Sequence, residues 1–188
     1  TYLSGGLHLD GLADSADAWV GGLGQRDKTL AIMKDPQSGP MGVTAIVLVL
    51  LIKWAALAAL FQALLQPMLN GTSWWSVFAS VIIVPILARA VVIGVLATTP
   101  YVREAGLGKN LLAGVTPIRV WVTLIIVALL TVLLVPKSAI LLLLVWLTVA
   151  AMARAAMLKR IQGCTGDTLG ATIEIQEAIL LVALALAI

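Results

Sequence analysis

Residues 43–65 read VTAIVLVLLIKWAALAALFQALL, a stretch in which Lys53 is the only charged side chain. A membrane-spanning helix needs about 20 consecutive, predominantly apolar residues, and this stretch is long enough. The whole chain has the same character, since 61% of its 188 residues are hydrophobic and 11% are charged. A soluble domain is about half apolar and about a quarter charged. The composition therefore predicts an all-α, polytopic integral membrane helix bundle.

Four further apolar stretches accompany the first one. We predict spans at about residues 43–65, 77–97, 118–135, 139–157 and 171–188. The last stretch reaches spanning length only if it begins near Ala171, which would put Glu174 and Glu177 at the membrane interface. There is no internal repeat and no linker. Residues 1–188 are therefore expected to form one domain, in which residues 1–42 are a cytoplasmic motif region.

The basic residues indicate the orientation of the chain, because cytoplasmic connections of membrane proteins are enriched in Lys and Arg. They concentrate in residues 1–42, 98–119 and 158–177, whereas residues 66–76 carry no charge. On this assignment all nine acidic residues lie towards the cytoplasm. We therefore expect a multi-pass protein of the cell inner membrane, in contact with the lipid bilayer, whose catalytic loops lie on the cytoplasmic face.

The one-sided distribution of charge also bears on the class of protein. A cation channel or transporter with an acidic mouth would carry carboxylates within its spans or at both mouths. An enzyme supplied from the cytosol needs one polar face only, so we favour an enzyme. The net charge of +3 gives little reason to expect a nucleic-acid partner, because basic loops in a membrane protein reflect its orientation. The sequence leaves homo-oligomerisation open.

Three aspartates near the start of the chain form an acidic stripe. Asp10, Asp14 and Asp17 stand at i, i+4 and i+7, positions that share one helix face. No Lys or Arg occurs before Arg26 to balance them. Mg²⁺ prefers carboxylate oxygens and substrate phosphates, so we predict these aspartates as Mg²⁺ ligands. The alternative is a solvated, charged helix face. His8, which precedes the stripe, is either a substrate contact or a histidine with a local hydrogen bond.

Three further segments carry candidate residues. Lys34 lies in a Pro- and Gly-rich loop that leads into the first span, where it could reach a phosphate. Residues 103–109, REAGLGK, set two bases beside two glycines, a pattern suited to anion binding but equally typical of a positive-inside loop. Residues 163–170, GCTGDTLG, contain Thr165 and Asp167, either of which could cap a helix whose N-terminus binds an anion.

Two charged residues interrupt the predicted spans. A charge within a span is costly and by default marks a functional site. Lys53 lies deep in its span, whereas Arg89 lies nearer the cytoplasmic end of its own. Either could pair with the aspartate stripe or with a substrate phosphate.

Residues 5–17 (GGLHLDGLADSAD), 103–108 (REAGLG) and 165–171 (TGDTLGA), together with Lys34 and its following glycines, resemble the cobalamin synthase family, also called adenosylcobinamide-GDP ribazoletransferase. The resemblance runs in order along most of the chain. The family has a further N-terminal portion with apolar spans, which this chain is expected to lack. Gln162 also stands where the family pattern has a glycine.

The resemblance implies a Mg²⁺-dependent transferase that joins adenosylcobinamide-GDP to α-ribazole, or to its 5′-phosphate, and releases GMP in a late step of cobalamin biosynthesis. A ribose 5′-hydroxyl would attack the cobinamide-bound phosphorus of the pyrophosphate. One carboxylate would act as general base. The expected catalytic residues are Asp10, Asp14, Asp17 and Asp167. The expected substrate contacts are His8, Lys34, Arg89, Arg103, Lys109, Thr165 and Gly166.

A CDP-alcohol-type membrane phosphotransferase is the second candidate, because it also combines clustered aspartates, Mg²⁺ and an attacking alcohol. That class shows the pattern D-G-x-x-A-R. This chain has DGLAD at residues 10–14 without the arginine, which favours the first candidate.

Overall fold

The structure is a computed structural model that describes residues 6–69, 74–103 and 116–187. Within these ranges it is built from helices, and its only β-pairing is an isolated bridge between Tyr101 and Cys164. The helices are α1 (Leu7–Gly21), α2 (Arg26–Ile32), α3 (Pro40–Leu69), α4 (Trp74–Thr98), α5 (Pro117–Leu134), α6 (Ala139–Ile161) and α7 (Gly166–Leu186).

Five of these helices are long and apolar enough to cross a membrane. The candidate spans are Pro40–Ala63, Phe78–Thr98, Pro117–Leu134, Ala139–Ile161 and Gly166–Leu186. The predicted all-α membrane helix bundle is therefore confirmed. Large apolar side chains such as Trp54, Trp121 and Leu133 remain exposed on the outer faces, at 70%, 61% and 76%, as expected for helices that face lipid rather than water.

The central helix of the bundle is α7. In its candidate span 67% of the residues are buried, against 44% in α4 and 11 to 17% in the other three. It packs against α1, α3, α4 and α6. Leu180 and Leu184 of α7 meet Leu87 of α4 and Leu142 of α6 in the main apolar core. The polar residues of α7 therefore lie among four other helices.

The start of α7 agrees with the predicted helix cap, although the span was predicted only from about residue 171. The helix begins at Gly166, where Thr165 and Thr168 form a reciprocal cap. Thr165 Oγ1 accepts a hydrogen bond from the Thr168 amide at 3.2 Å, and Thr168 Oγ1 accepts one from the Thr165 amide at 2.9 Å. Such a capping box satisfies two otherwise unpaired amides of the first turn. The predicted capping role of Thr165 is confirmed.

This earlier start moves two acidic residues into the bundle. Glu174 and Glu177 lie inside the candidate span Gly166–Leu186, and Glu174 is only 6% exposed. Both glutamates thus lie further inside the candidate span than the predicted start near Ala171 implied. Residues 166–170 form the first turn of the helix that Thr165 caps.

The short helices α1 and α2 are held at one end of α6. Arg26 Nε donates to the carbonyl oxygen of Ile161 at 3.0 Å, which satisfies a free carbonyl at the end of α6. Arg160 Nε donates to Thr29 Oγ1 at 3.0 Å, and its guanidinium lies 5.8 Å from the centre of the Trp19 ring. These contacts fix the helix that carries the aspartate stripe relative to the bundle.

Candidate functional site

Two glycines allow α1 to lie directly against α7. A Cβ atom added to Gly11 would lie 2.8 Å from the carbonyl oxygen of Asp167, and one added to Gly170 would lie 3.2 Å from the Cα atom of His8. Any larger side chain at Gly11 would force the two backbones apart. Because Gly11 contacts the first turn of α7 and His8 contacts the next, the helices run antiparallel. Asp167 is thereby placed beside the aspartate stripe of α1.

Asp10, Asp14 and Asp167 form a group that we call the carboxylate cluster. The pKa of Asp14 is raised to about 6, mainly by burial and also by the negative charges of Asp10 and Asp167, while Arg103 acts to lower it. A raised pKa means that the negative charge of Asp14 is poorly compensated, and a bound cation would compensate it. Among the described residues, these three acidic groups have one arginine beside them, so the site favours an added positive charge.

Arg103 closes one side of the cluster. Its Nη2 atom lies 2.5 Å from Asp167 Oδ2 and also donates to the carbonyl oxygen of Met33 at 3.0 Å. The arginine is placed by a short pairing of the chain around it, in which the Val102 amide donates to the Cys164 carbonyl at 2.9 Å and the Cys164 amide to the Pro100 carbonyl at 2.8 Å. The predicted Arg103 segment is thus joined to the α6–α7 connection and the end of α2.

Glycine is required in that pairing. A Cβ atom on Gly163 would collide with the carbonyl oxygen of Pro100. Cys164, the only cysteine of the chain, is fully buried beside it. Burial raises the pKa of the Cys164 thiol to about 11, so the thiol is not a nucleophile at neutral pH.

Asp17 shares the predicted face of α1 but is engaged elsewhere. Its Oδ2 atom accepts a hydrogen bond from the Gly39 amide at 2.6 Å, and its Oδ1 atom accepts one from the Gly42 amide at 2.9 Å. It thus caps the N-terminus of α3 from a neighbouring helix, where a negative charge also interacts favourably with the helix dipole. Of the predicted stripe, Asp10 and Asp14 keep the freer carboxylates.

The other predicted substrate contacts lie at different distances from the cluster. Gly166 is exposed at the N-terminus of α7, whereas Thr165 is fully buried and occupied in the cap. Lys34 is exposed in the loop after α2. Arg89 contacts Glu177, which lies about 15 Å along α7 from Asp167 at 1.5 Å per residue. Lys109 lies outside the described residues.

A second group of charges was not foreseen from the sequence, and we call it the intramembrane ion network. Lys53 Nζ lies 2.6 Å from Glu174 Oε2 and 2.7 Å from Glu177 Oε2. Arg89 Nη1 lies 2.6 Å from Glu177 Oε1. Lys53 and Arg89 were singled out as charges within spans, but the structure gives them these glutamates rather than the aspartate stripe as partners. Two glutamates at i, i+3 in an apolar stretch, with a lysine in another, are the signal that could have revealed the network.

The donor atoms of the carboxylate cluster are of the kind that Mg²⁺ prefers. Among the residues that the structure describes, no three His, Cys, Asp or Glu side chains converge into a ready-made metal site. Mg²⁺ does not require one, because it is usually held by one or two carboxylates and completes its coordination with waters and substrate phosphates. Asp10 and Asp14 provide oxygen donors with an excess of negative charge, so the donor chemistry fits.

The fold and the site define a helical membrane protein with carboxylates and an arginine gathered where two helices meet. The comparisons with known proteins make the assignment specific. The chain belongs to the cobalamin-5-phosphate synthase family, whose model matches residues 1–185. This confirms the predicted family, and it favours the transferase over the CDP-alcohol-type enzyme and over the channel or transporter.

Curated relatives agree with the family assignment. The chain is 46% identical to the adenosylcobinamide-GDP ribazoletransferase of Pseudomonas syringae pv. syringae (strain B728a), over 98% of this chain and 71% of that protein. It is 48% identical to the protein of that name from Pseudomonas entomophila (strain L48) and 47% identical to that from Pseudomonas aeruginosa PAO1, in both cases over 98% of this chain and 70% of the relative. No solved structure matches the chain.

Proposed function

We propose that this chain is an adenosylcobinamide-GDP ribazoletransferase, which joins adenosylcobinamide-GDP to α-ribazole, or to its 5′-phosphate, and releases GMP. The observation that carries the proposal is the meeting of two motif segments that are far apart in sequence. Gly11 of the GGLHLDGLADSAD segment packs on the backbone of Asp167 in the TGDTLGA segment. The carboxylate cluster with Arg103 forms at that junction, and it suits a pyrophosphate substrate.

The reaction defines what the site must do. The 5′-hydroxyl oxygen forms a bond to the cobinamide-bound phosphorus, the bond from that phosphorus to the bridging oxygen breaks, and GMP leaves with the bridging oxygen. The hydroxyl proton needs an acceptor. Phosphoryl transfer depends mainly on positioning and on neutralisation of charge, and it needs no covalent intermediate with the protein.

Different side chains of the carboxylate cluster are assigned to metal binding and to proton acceptance. We assign Asp10 and Asp14 as the residues that would hold Mg²⁺, and Asp17 as the residue that anchors the start of α3. When bound, Mg²⁺ neutralises negative charge on the phosphate oxygens. Asp167 is the assigned proton acceptor, because Arg103 contacts its Oδ2 atom and holds the carboxylate in place.

Substrate phosphates are expected at the first turn of α7. The N-terminus of a helix presents free amides and a partial positive charge, which favour phosphate. Gly166 is exposed there, so a phosphate can approach the backbone. Arg103 lies at the same point and supplies a full positive charge. We place this face of the bundle on the cytoplasmic side of the cell inner membrane, in line with the distribution of Lys and Arg.

The test is GMP release from adenosylcobinamide-GDP and α-ribazole by the full-length protein in lipid nanodiscs. Asp14→Asn is compared with Asp27→Asn, a matched control because the Asp27 side chain is 95% exposed in a different helix. Removal of a preorganised charge that stabilises the transition state costs about 100-fold or more in kcat, and we expect that loss for Asp14→Asn only. Turnover by Asp14→Asn near that of the wild type would contradict the site assignment. Absence of GMP release by the wild type would contradict the function itself.

A further inference from the structure

The intramembrane ion network has no role in the reaction as assigned above. It joins Lys53 of α3, Arg89 of α4, and Glu174 and Glu177 of α7, so that two positive groups meet two negative ones. The side chains of Glu174 and Lys53 are 7% and 14% exposed. A buried ion pair rarely stabilises a fold more than apolar residues of the same volume would. Stability alone therefore gives no reason for charges at this position.

The two oxygens of Glu174 have different neighbours. Lys53 contacts the Oε2 atom at 2.6 Å, whereas the Oε1 atom lies 3.9 Å from Nδ1 of His8. His8 belongs to α1, two residues before Asp10 of the carboxylate cluster. Glu174 thus stands between the ion network and the motif that carries the cluster.

The helix packing explains this juxtaposition. Gly170 allows the backbone of His8 to approach α7, since a Cβ atom at Gly170 would lie 3.2 Å from the His8 Cα atom. Glu174 follows Gly170 by four residues and therefore occupies the same face one turn later. Gly170 allows the two helices to pack closely, and this close packing places the His8 imidazole beside Glu174.

We propose that Glu174 is a positioning residue that orients the imidazole of His8 towards substrate, and that Lys53 holds the Glu174 carboxylate for this purpose. With Nδ1 facing the carboxylate, Nε2 is the ring nitrogen available to a substrate phosphate. Carboxylates commonly fix the orientation of a functional histidine in this way. The 3.9 Å separation is longer than a hydrogen bond, and we expect it to shorten when substrate engages His8, as such contacts tighten in the complex. The role of His8 rests on the proposed function.

The test compares four variants in the GMP-release assay: His8→Ala, Glu174→Gln, the double variant, and Glu177→Gln. Glu177→Gln is the matched control, because Glu177 lies on the same helix and contacts the same lysine but pairs with Arg89 rather than with His8. Each single glutamine variant leaves Lys53 with one carboxylate partner. Thermal unfolding of all four variants in the same nanodiscs shows whether they are folded.

The expected result is a change in KM that depends on His8. Loss of an orienting carboxylate costs about 10-fold or more, so Glu174→Gln should raise KM for adenosylcobinamide-GDP by about that factor and leave kcat within about threefold. His8→Ala should have an effect of the same size, and the double variant should be no worse than His8→Ala alone. Glu177→Gln should leave KM within about twofold of the wild type.

Several outcomes would overturn the proposal. One is that the effects of His8→Ala and Glu174→Gln multiply in the double variant. Another is that Glu177→Gln raises KM as much as Glu174→Gln does, or that His8→Ala leaves KM unchanged. A fall in kcat at constant KM in Glu174→Gln would also overturn it, because the proposal requires an effect on KM. If the wild type itself releases no GMP, the proposed function fails, and this role of His8 fails with it.

Discussion

The first turn of α7 and its middle both carry carboxylates, but the two groups are balanced differently. At the first turn, Asp167 joins Asp10 and Asp14 with Arg103 as the neighbouring cation. In the middle, Glu174 and Glu177 meet Lys53 and Arg89, so that positive and negative charges are equal in number. The cluster therefore has an excess of negative charge, whereas the network is neutral within itself.

This difference indicates which group needs something from outside the protein. Like charges at close range raise one another's energy, and a bound cation relieves the repulsion. Opposite charges in a low-dielectric interior already satisfy each other and lose stability when one partner is removed. Removal of a charge should therefore have opposite consequences for stability in the two places.

The largest effect is expected in the network. Lys53→Met would leave Glu174 and Glu177 close together without their shared cation, and loss of one partner from a buried pair costs about 3 kcal/mol or more. The free energy of unfolding, measured by denaturant titration in mixed micelles, should fall by that amount. Lys28→Met is the control, because Lys28 is exposed on α2. Equal stability of the two variants would show that the network does not act as a buried ion pair.

The opposite sign is expected in the cluster. Asp10→Asn removes repulsion, so the protein without metal should be as stable as the wild type or slightly more stable. The same variant should need about 10-fold or more Mg²⁺ for half-maximal GMP release, because it loses a ligand or a charge next to one. A Mg²⁺ titration of the wild type, Asp10→Asn and Glu177→Gln measures this. An unchanged requirement in Asp10→Asn would place the ion elsewhere.

The pKa of Asp14 predicts a dependence on pH that the network should not share. Since the pKa is raised to about 6, Asp14 takes up a proton as the pH falls through 6, and this proton competes with Mg²⁺. Half-maximal activity should require about fourfold more Mg²⁺ at pH 5.5 than at pH 7. Without metal the sign for stability is the reverse. The folded state keeps a proton that the unfolded chain releases, so the contribution of Asp14 to stability is present below about pH 4 and is lost as the pH rises through about 6.

Asp14→Asn provides the control for this effect. It removes the titrating group, so any residual dependence on Mg²⁺ should no longer change between pH 7 and pH 5.5. Retention of the full fourfold change in Asp14→Asn would assign the titration to another group.

The contrast also shows what the sequence could and could not reveal. The spacing of Asp10 and Asp14 on one helix face is a local property, and the sequence showed it. The five apolar helices could also be predicted, because the length of an apolar stretch is sufficient to predict a membrane span. The partners of Lys53 could not be predicted, because Glu174 lies 121 residues away and no local pattern specifies which helices become neighbours.

Asp17 and the start of α7 illustrate two other limits. Helical periodicity correctly put Asp17 on the face of the stripe, but it could not indicate that the amides of Gly39 and Gly42 occupy its carboxylate. For the helix that starts in residues 163–170, the sequence left Thr165 and Asp167 as alternative caps, and the reciprocal bonds between Thr165 and Thr168 depend on side-chain geometry. Both cases concern competition between hydrogen-bond partners, which composition and spacing do not resolve.

The smallest expected effect concerns the connection that delivers Asp167 to the cluster. Gln162 ends α6 with φ of 59°, in the left-handed region that a non-glycine residue adopts at some cost. Gln162→Gly should therefore stabilise the protein by about 0.5 to 1 kcal/mol, since glycine is the favoured residue after a helix C-terminus in this conformation. Gln25→Gly is the control, because Gln25 has φ of −86° and gains nothing from glycine. The stabilisation should leave the network untouched, so in a double variant with Lys53→Met the two changes in unfolding free energy should add. A destabilised Gln162→Gly variant would show that the glutamine side chain, rather than the backbone turn, holds the start of α7 in place.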